Sequence, residues 1–148
     1  METLNTKSRT IFCALIERMG TLDYLKFTNE PMMPLVIEYL NLTISTRFGK
    51  GKLYSLCHYF KQNGDQMQDP EMCFIVVDNR TEANSDIDLV SIIPYMFQQA
   101  LGGIYQESIR FENFKIAEIN EKIQRDHTLF ADFWLRNIFE SGYLDEKM

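Results

Sequence analysis

The sequence predicts an α+β fold, in which a single antiparallel sheet of five or six strands packs against an N-terminal helix and a long C-terminal helix. Three observations predict it. Apolar residues recur at helical spacing near both ends of the chain, short runs rich in Tyr, Phe, Val, Ile and Leu fill residues 22–111, and turn-forming residues separate those runs. We therefore expect the chain order helix, strands, helix.

The N-terminal helix is predicted from apolar residues that share one helical face. Those residues are Phe12, Leu15, Ile16 and Met19. Ser8 precedes them and is the expected N-cap, because a serine hydroxyl accepts a hydrogen bond from the first helical turn. Gly20 is the expected stop, since glycine adopts the left-handed conformation that ends many helices.

The middle of the chain is predicted to form a strand meander. The expected strands are 23–28, 34–45, 52–60, 72–78, 90–99 and 103–111. The expected turns between them are Asn29-Glu30-Pro31, Gly49-Lys50-Gly51, Asn63-Gly64-Asp65, Asp69-Pro70 and Gly102-Gly103. The polar stretch 78–88 lacks apolar periodicity and is predicted to be an exposed loop.

The C-terminal helix is predicted to begin soon after Phe114 and to end at Ser141-Gly142. The residues expected on its apolar face are Ile116, Ile119, Ile123, Phe130, Trp134 and Ile138. Asp126 is expected to cap a second segment of this helix. We treat residues 1–148 as a single domain, because no internal repeat or low-complexity linker divides them.

Composition narrows the classes of function. The 148 residues are 45% hydrophobic and carry 21 acidic against 15 basic residues, a net charge of -6, which disfavours direct binding to nucleic acid. The apolar runs are too short to span a membrane, and the N-terminus lacks a secretory signal, so we expect a cytoplasmic protein. Three cysteines without C-x-x-C spacing predict free thiols. No cofactor is expected.

A polar cluster at residues 58–71 is the first candidate site. One interpretation is a metal-dependent hydrolase, in which His58 acts as base or ligand and Asp65, Asp69 and Glu71 supply oxygen ligands. The alternative is turn chemistry, since Asn63-Gly64 is a hairpin signal and Asp-Pro commonly opens a turn. We favour turn chemistry, and assign no metal ligand and no catalytic residue.

Cysteine catalysis is not favoured. Cys57 and His58 are adjacent on a predicted strand and therefore point to opposite faces. His127 is expected in the core with one hydrogen bond, because it lies on the apolar face of the C-terminal helix. Six aromatic residues on the predicted strands alternate between faces, so some are exposed and suit a groove for a peptide or small ligand. They are Tyr54, Tyr59, Phe60, Tyr95, Phe97 and Tyr105.

Four segments carry a family resemblance. They are PMMPLVIEYL (31–40), LCHYFKQNGDQMQDPEM (56–72), YMFQQALGGIYQESI (95–109) and FADFWLRNIFESGYL (130–144). They resemble an uncharacterised bacterial family, domain of unknown function 6908, over the chain from Leu25 onward. A looser similarity, through the strand meander and an F-x-x-x-W-L helix, is to domain of unknown function 1249.

The family pattern contains P-L-V-x-E, H-Y followed by G-D, D-P-E-M and a Gln-rich strand leading to Tyr-Gln. Its positions in this chain are Pro34, Leu35, Val36, Glu38, His58, Tyr59, Asn63, Gly64, Asp65, Asp69, Pro70, Glu71, Met72, Gln98, Gln99, Tyr105 and Gln106. The resemblance implies a plasmid, conjugative-element or phage setting. It carries no known activity.

We therefore expect a non-catalytic binding protein of a mobile genetic element or phage, acting on a protein partner such as a host defence protein. The candidate binding residues are His58, Asn63, Asp65, Asp69, Glu71, Gln98 and Tyr105. The alternatives are the metal-dependent hydrolase above and a structural component that forms an oligomer. Sequence leaves open whether the protein is a monomer or a homodimer.

Overall fold

A computed structural model describes residues 1–145, which form two helices and one eight-stranded sheet. In chain order the elements are α1 (Thr6–Met19), β1 (Tyr24–Phe27), β2 (Leu35–Thr46), β3 (Gly49–Gln62), β4 (Asp65–Asp78), a 3-10 helix (Ile87–Leu89), β5 (Val90–Gln99), β6 (Ile104–Glu107), β7 (Ile109–Glu112), β8 (Lys115–Ile119) and α2 (Glu121–Glu140). Residues 146–148 of the predicted domain lie outside the described part. The α+β class is confirmed.

Helix α1 begins three residues earlier than predicted. Its N-cap is Asn5, whose Oδ1 accepts a hydrogen bond of 2.8 Å from the backbone N–H of Ser8. The prediction of Ser8 as N-cap was wrong, because the asparagine upstream supplies an equally good acceptor. Gly20 ends the helix as predicted, with φ of +58° and its N–H bonded to the Glu17 carbonyl.

The sheet is mixed and larger than a meander of five or six strands. Its order is β6-β5-β4-β3-β2-β8-β7, and β1 pairs separately with the first half of β2. All pairs are antiparallel except β2 with β8, which run parallel and meet at Ser45 and Lys115. The predicted strand number and connectivity were therefore wrong.

One extra strand arises because the predicted strand 103–111 bends, and the other is β8, at residues predicted to be helical. The predicted strand 103–111 is divided at Ser108 into β6 and β7, because Ser108 donates its N–H to the Tyr95 carbonyl on β5 and accepts from the Asn120 N–H after β8. Asn113 and Phe114 then adopt positive φ in a tight turn that leads into β8. Since β6 and β7 lie at opposite ends of the strand order, this bend makes the sheet curl back on itself.

The β3–β4 hairpin has the predicted two-residue turn. Asn63 and Gly64 have φ of +53° and +86°, and Gln62 pairs with Asp65 across the turn. Positive φ at both central residues is the requirement of a type I′ turn, which explains the Asn-Gly pair.

Two other predicted turns lie inside strands. Gly49-Lys50-Gly51 belongs to β3, where a Cβ on Gly51 would lie 2.3 Å from Cγ2 of Ile75 on β4. Glycine is required there for close packing of the strands rather than for a turn. Asp69-Pro70 lies in β4 at a bulge, where the pairing register shifts between Cys57 and Tyr59 of β3. The glycine and proline therefore mark a close approach and a bulge.

The segment after β4 is exposed, as predicted for residues 78–88. Residues 79–86 are all exposed, and Thr81 and Asn84 bridge a small turn within them. At the start of this segment, Arg80 Nη2 lies 2.8 Å from Oδ2 of Asp78.

Helix α2 is one continuous segment. Asn120 is its N-cap and accepts from the Ile123 N–H at 3.1 Å, whereas Asp126 lies within the helix and caps nothing. The predicted start soon after Phe114 was wrong, because residues 115–119 form β8. The predicted stop at Ser141-Gly142 is confirmed. Among residues 1–145, no helix is long and apolar enough to cross a membrane.

Two apolar clusters lie on the two sides of the sheet. Both helices pack on one side, which we call the helix side; its fully buried residues include Phe12, Leu15, Leu35, Ile37, Leu56, Met72, Phe74, Ile92 and Leu135. The other cluster fills the curled end of the sheet, under β7 and β8, and contains Ile44, Leu53, Ile75, Val77, Ile93 and Ile109. Neither of the two described helices contributes a residue to this second cluster.

Candidate functional site

The candidate site is the side of the sheet opposite the helices. Because strand residues alternate between faces, the neighbours of buried Leu56 and Met72 and of half-buried Phe97 point to this side. Cross-strand pairing then places polar side chains in adjacent rows. We call this set of residues the polar face; its members are Glu38, Ser55, Cys57, Glu71, Cys73, Gln98, Tyr105 and Glu107. Ser55, Cys57 and Cys73 are buried, whereas Tyr105 and Glu107 are exposed.

Glu71 is the centre of the polar face. Its Oε2 accepts a hydrogen bond of 2.6 Å from the Ser55 hydroxyl on β3, and its Oε1 accepts from the Gln98 amide on β5. The carboxylate is therefore held from both neighbouring strands. Such charge-assisted bonds fix a side chain more firmly than neutral ones.

Tyr105 and Glu107 form the β6 edge of the polar face. The Tyr105 hydroxyl donates to Oε1 of Glu107 at 2.6 Å. This bond keeps the proton on the phenol and, with partial burial, raises the pKa of Tyr105 to about 12. At neutral pH Tyr105 is thus a neutral hydrogen-bond donor beside a carboxylate, and its ring is largely exposed.

The two cysteines of the polar face are protonated thiols with raised pKa values. Burial raises the pKa of Cys57 and of Cys73 to about 12, and the negative charge of Glu71 adds to the increase. Since the thiolate is the nucleophile, both residues are protonated and unreactive at neutral pH. The third cysteine, Cys13 on α1, also has its pKa raised by burial.

The structure brings three of the seven predicted binding residues together. Glu71 pairs with Gln98, and Gln98 pairs with Tyr105, across β4, β5 and β6. Asp69 lies close by on β4, where its Oδ1 accepts from the Gln99 amide at 2.7 Å. These residues lie on one stretch of the sheet.

The other three predicted residues lie elsewhere. Asn63 and Asp65 are exposed at the tip of the β3–β4 hairpin. His58 projects to the helix side, where its ring centroid is 5.5 Å from those of both Trp134 and Tyr143. Burial there lowers the pKa of His58, which favours the neutral imidazole.

The residues of the hydrolase alternative are not assembled into a metal site. His58 lies on the helix side, Asp65 is at the hairpin tip, and both oxygens of Glu71 already accept hydrogen bonds. Among residues 1–145, no group of three or more His, Cys, Asp or Glu side chains is placed to hold a metal ion. The geometry gives the hydrolase no support.

His127 is a core residue, as predicted, but makes two hydrogen bonds rather than one. Its Nδ1 lies 2.9 Å from the Ser108 hydroxyl and its Nε2 lies 3.0 Å from Oε1 of Gln106. Burial lowers its pKa, and the ring stacks on Phe97. His127 thereby joins α2 to the bend between β6 and β7.

Sequence reasoning missed most of the polar face. The missed members are Glu38, Ser55, Cys57, Cys73 and Glu107. The available signal was alternation, since Ser55 and Cys57 flank Leu56 and Glu71 and Cys73 flank Met72. Polar residues that alternate with buried apolar ones on paired strands indicate a shared polar face.

One cavity borders the polar face, and a second cavity is lined by none of its members. One, of about 350 Å³, lies between β5, β6 and β7 and includes Tyr105 and Glu107 in its lining. The other, of about 540 Å³, lies between residues 26–34 and the β3–β4 hairpin and includes Met32 and Met33.

Comparison with known proteins identifies a family for this chain. A model of the family described as domain of unknown function (DUF6908) matches residues 10–144. No curated protein and no solved structure matches the chain. The resemblance to this family is thereby confirmed.

Proposed function

The chain belongs to the family of the domain of unknown function DUF6908, and we propose that it is a non-catalytic binding protein whose polar face contacts a protein partner. The observation that carries this proposal is the placement of Glu71 between Ser55 and Gln98, beside the exposed ring of Tyr105. Polar groups held on rigid strands next to an exposed aromatic ring are typical of binding surfaces.

Binding is favoured over catalysis by the state of the reactive groups. His58 is half-buried on the helix side and His127 is buried beside the bend, and the pKa values of both are lowered by burial. The thiols of Cys57 and Cys73 are protonated. Acyl transfer by a thiol needs a nucleophile within hydrogen-bond reach of a base, and the polar face offers neither a thiolate nor an imidazole among the described residues.

We propose further that the protein serves a mobile genetic element or phage, in the cytoplasm, with a host defence protein as its target. This part of the proposal rests on the family resemblance and on the acidic composition. An excess of carboxylates steers association toward basic surfaces of a partner.

The proposal is tested by affinity capture from host lysate with three forms of the protein: wild type, Tyr105→Ala and Leu22→Ala. Tyr105 and Leu22 each expose 59% of their surface, but Leu22 precedes β1, which pairs with β2, whereas Tyr105 lies on β6, which pairs with β5. We expect one partner to be retained by wild type and Leu22→Ala and lost with Tyr105→Ala. Equal retention by all three forms would exclude the polar face as the contact surface.

A second candidate function is a structural component that assembles with copies of itself. Apolar side chains on the outer surface of α2 and beside β6 favour it: Leu101, Ile104, Leu129, Phe130 and Phe133, with exposures from 37% to 64%. Together they offer of the order of 500 Å² of exposed side chain, against roughly 800 Å² per partner in a standard interface that is about 60% apolar. Strand β6 pairs only with β5 in the described ladder, which leaves a free edge next to this patch.

The self-assembly candidate is tested by light scattering coupled to size-exclusion chromatography. A dimer that becomes a monomer in Phe133→Ser, but not in the control Leu22→Ala, would support it. A monomer at every accessible concentration would remove this candidate, and would leave the polar-face proposal untouched.

A further inference from the structure

The cavity between β5, β6 and β7 has an aromatic wall. Tyr95, Tyr105 and Phe111 line it, and the rings of Tyr95 and Phe111 meet edge to face with centroids 5.0 Å apart. Its volume of about 350 Å³ lies at the lower end of the usual range for ligand pockets. Aromatic faces carry partial negative charge and attract organic cations.

The charges around the cavity also favour a cation. Glu107 lines it and keeps one oxygen beyond its bond to Tyr105. Among the described residues of the lining, Arg110 carries the one positive charge. Its guanidinium is already paired with Glu112 at 2.9 Å and with Glu118 at 2.8 Å. The charge of Arg110 is therefore offset by two carboxylates just outside the lining, and Glu107 is the acidic group that lines the cavity. A bound anion would have to compete with Glu112 and Glu118 for Arg110.

We propose that this cavity binds the ammonium or guanidinium end of a lysine or arginine side chain presented by the protein partner. The inference rests on the proposed binding function and specifies the chemistry of the contact. The aliphatic stem lies along the rings of Tyr95 and Phe111, and the charged end meets Glu107. A neutral or acidic side chain gains neither the ring attraction nor the ion pair.

Binding is measured by NMR titration of the ¹⁵N-labelled 148-residue chain. The probes are acetyl-Gly-Lys-Gly-amide, its norleucine analogue, n-butylammonium and butyrate. We expect the lysine peptide to shift the amide signals of residues 105–111 in a saturable way. We expect norleucine and butyrate to bind at least about tenfold more weakly. A norleucine peptide that binds as well as the lysine peptide would overturn the inference, as would preferential binding of butyrate.

Two variants locate the effect. Glu107→Gln keeps the shape of the side chain and its acceptor oxygen for Tyr105, but removes the charge; it should weaken lysine-peptide binding about tenfold. Glu140→Gln makes the same charge change at the end of α2 and should leave binding within about twofold. Equal weakening by both variants would show a diffuse effect of net charge instead of a site.

The remaining outcomes distinguish a partner side chain from a free amine as the source of the cation. They also distinguish failure of the cavity proposal from failure of the polar-face proposal. Butylammonium that binds more tightly than the lysine peptide would overturn a partner side chain in favour of a free amine. Loss of the captured partner with Tyr105→Ala, together with no shift by any cation, would refute the cavity and keep the polar-face function. Cation binding together with capture that ignores Tyr105→Ala would refute the polar face.

Discussion

The hydrogen bond between Gln98 and Glu71 gives the sharpest test of the polar face. We consider Glu71→Ala, Gln98→Ala and the double variant. A hydrogen bond to a charged group contributes about 1.5–3 kcal/mol, so Gln98→Ala should cost about 2 kcal/mol. Glu71→Ala should cost about 3 kcal/mol, because it removes both bonds and leaves the buried Ser55 hydroxyl without its carboxylate acceptor.

The assay is urea unfolding followed by circular dichroism. With a slope of about 2 kcal/mol per molar urea, Glu71→Ala should lower the midpoint by about 1.5 M. The cycle should give a coupling of about 2 kcal/mol between Glu71 and Gln98, since the double variant loses their shared bond only once. A matched cycle of Glu71 with Gln62, which is exposed at the hairpin tip, should be additive. A Glu71–Gln98 coupling below about 0.5 kcal/mol would refute the placement of these residues.

Three further perturbations test the fold. Burial lowers the pKa of His58 and of His127 below the ordinary 6.5. The unfolded chain therefore binds more protons, and the free energy of unfolding should fall as pH drops below about 6.5. Urea midpoints measured from pH 8 to 5.5 check this, and a flat profile contradicts it. Gly51→Ala places a methyl group 2.3 Å from Ile75 Cγ2 and should cost about 1–3 kcal/mol by overpacking; an unchanged melting temperature would show that β3 and β4 are less close. Phe12→Ala removes a fully buried ring from the helix side and should cost about 3–5 kcal/mol in the same urea assay; a loss under 1 kcal/mol would contradict its burial.

Local signals in the sequence predict the β3–β4 hairpin, but they do not predict which residues form the polar face. The Asn63-Gly64 turn defines the pairing of Gln62 with Asp65, and counting along both strands from that turn would place Glu71 opposite Leu56. The bulge between Cys57 and Tyr59 inserts one residue and places Glu71 opposite Cys57 instead. Because a shift of one residue exchanges the two faces of a strand, no count from the turn alone locates Glu71.

Sequence periodicity failed to predict the boundary between β8 and α2 for a different reason. Ile116, Ile119 and Ile123 are spaced as on one helical face, so the helical pattern continues backward through residues that form a strand. Strand β8 is stabilised by pairing with β7 and β2, which are distant contacts that periodicity does not report. Asn120 was the local signal of the true helix start, since asparagine is a strong N-cap.

The bent segment at Ser108 also escaped prediction. Its division depends on the Tyr95 carbonyl and the Asn120 N–H, which approach Ser108 only in the folded chain. Residues 103–111 thus form strand structure as predicted, but they belong to two strands instead of one.

The position of α2 at the end of the described chain has a consequence for synthesis on the ribosome. The sheet surface formed by β3, β4 and β5 is present once residue 99 has been made, but α2, which covers much of it, ends at residue 140. At 5–20 residues per second, translation of the intervening segment takes about 2–8 s. During that interval α1 is the only helix available to cover Leu56, Met72 and Phe74. These three residues are fully buried in the finished protein. The nascent chain is therefore expected to expose this apolar surface for seconds before α2 is complete.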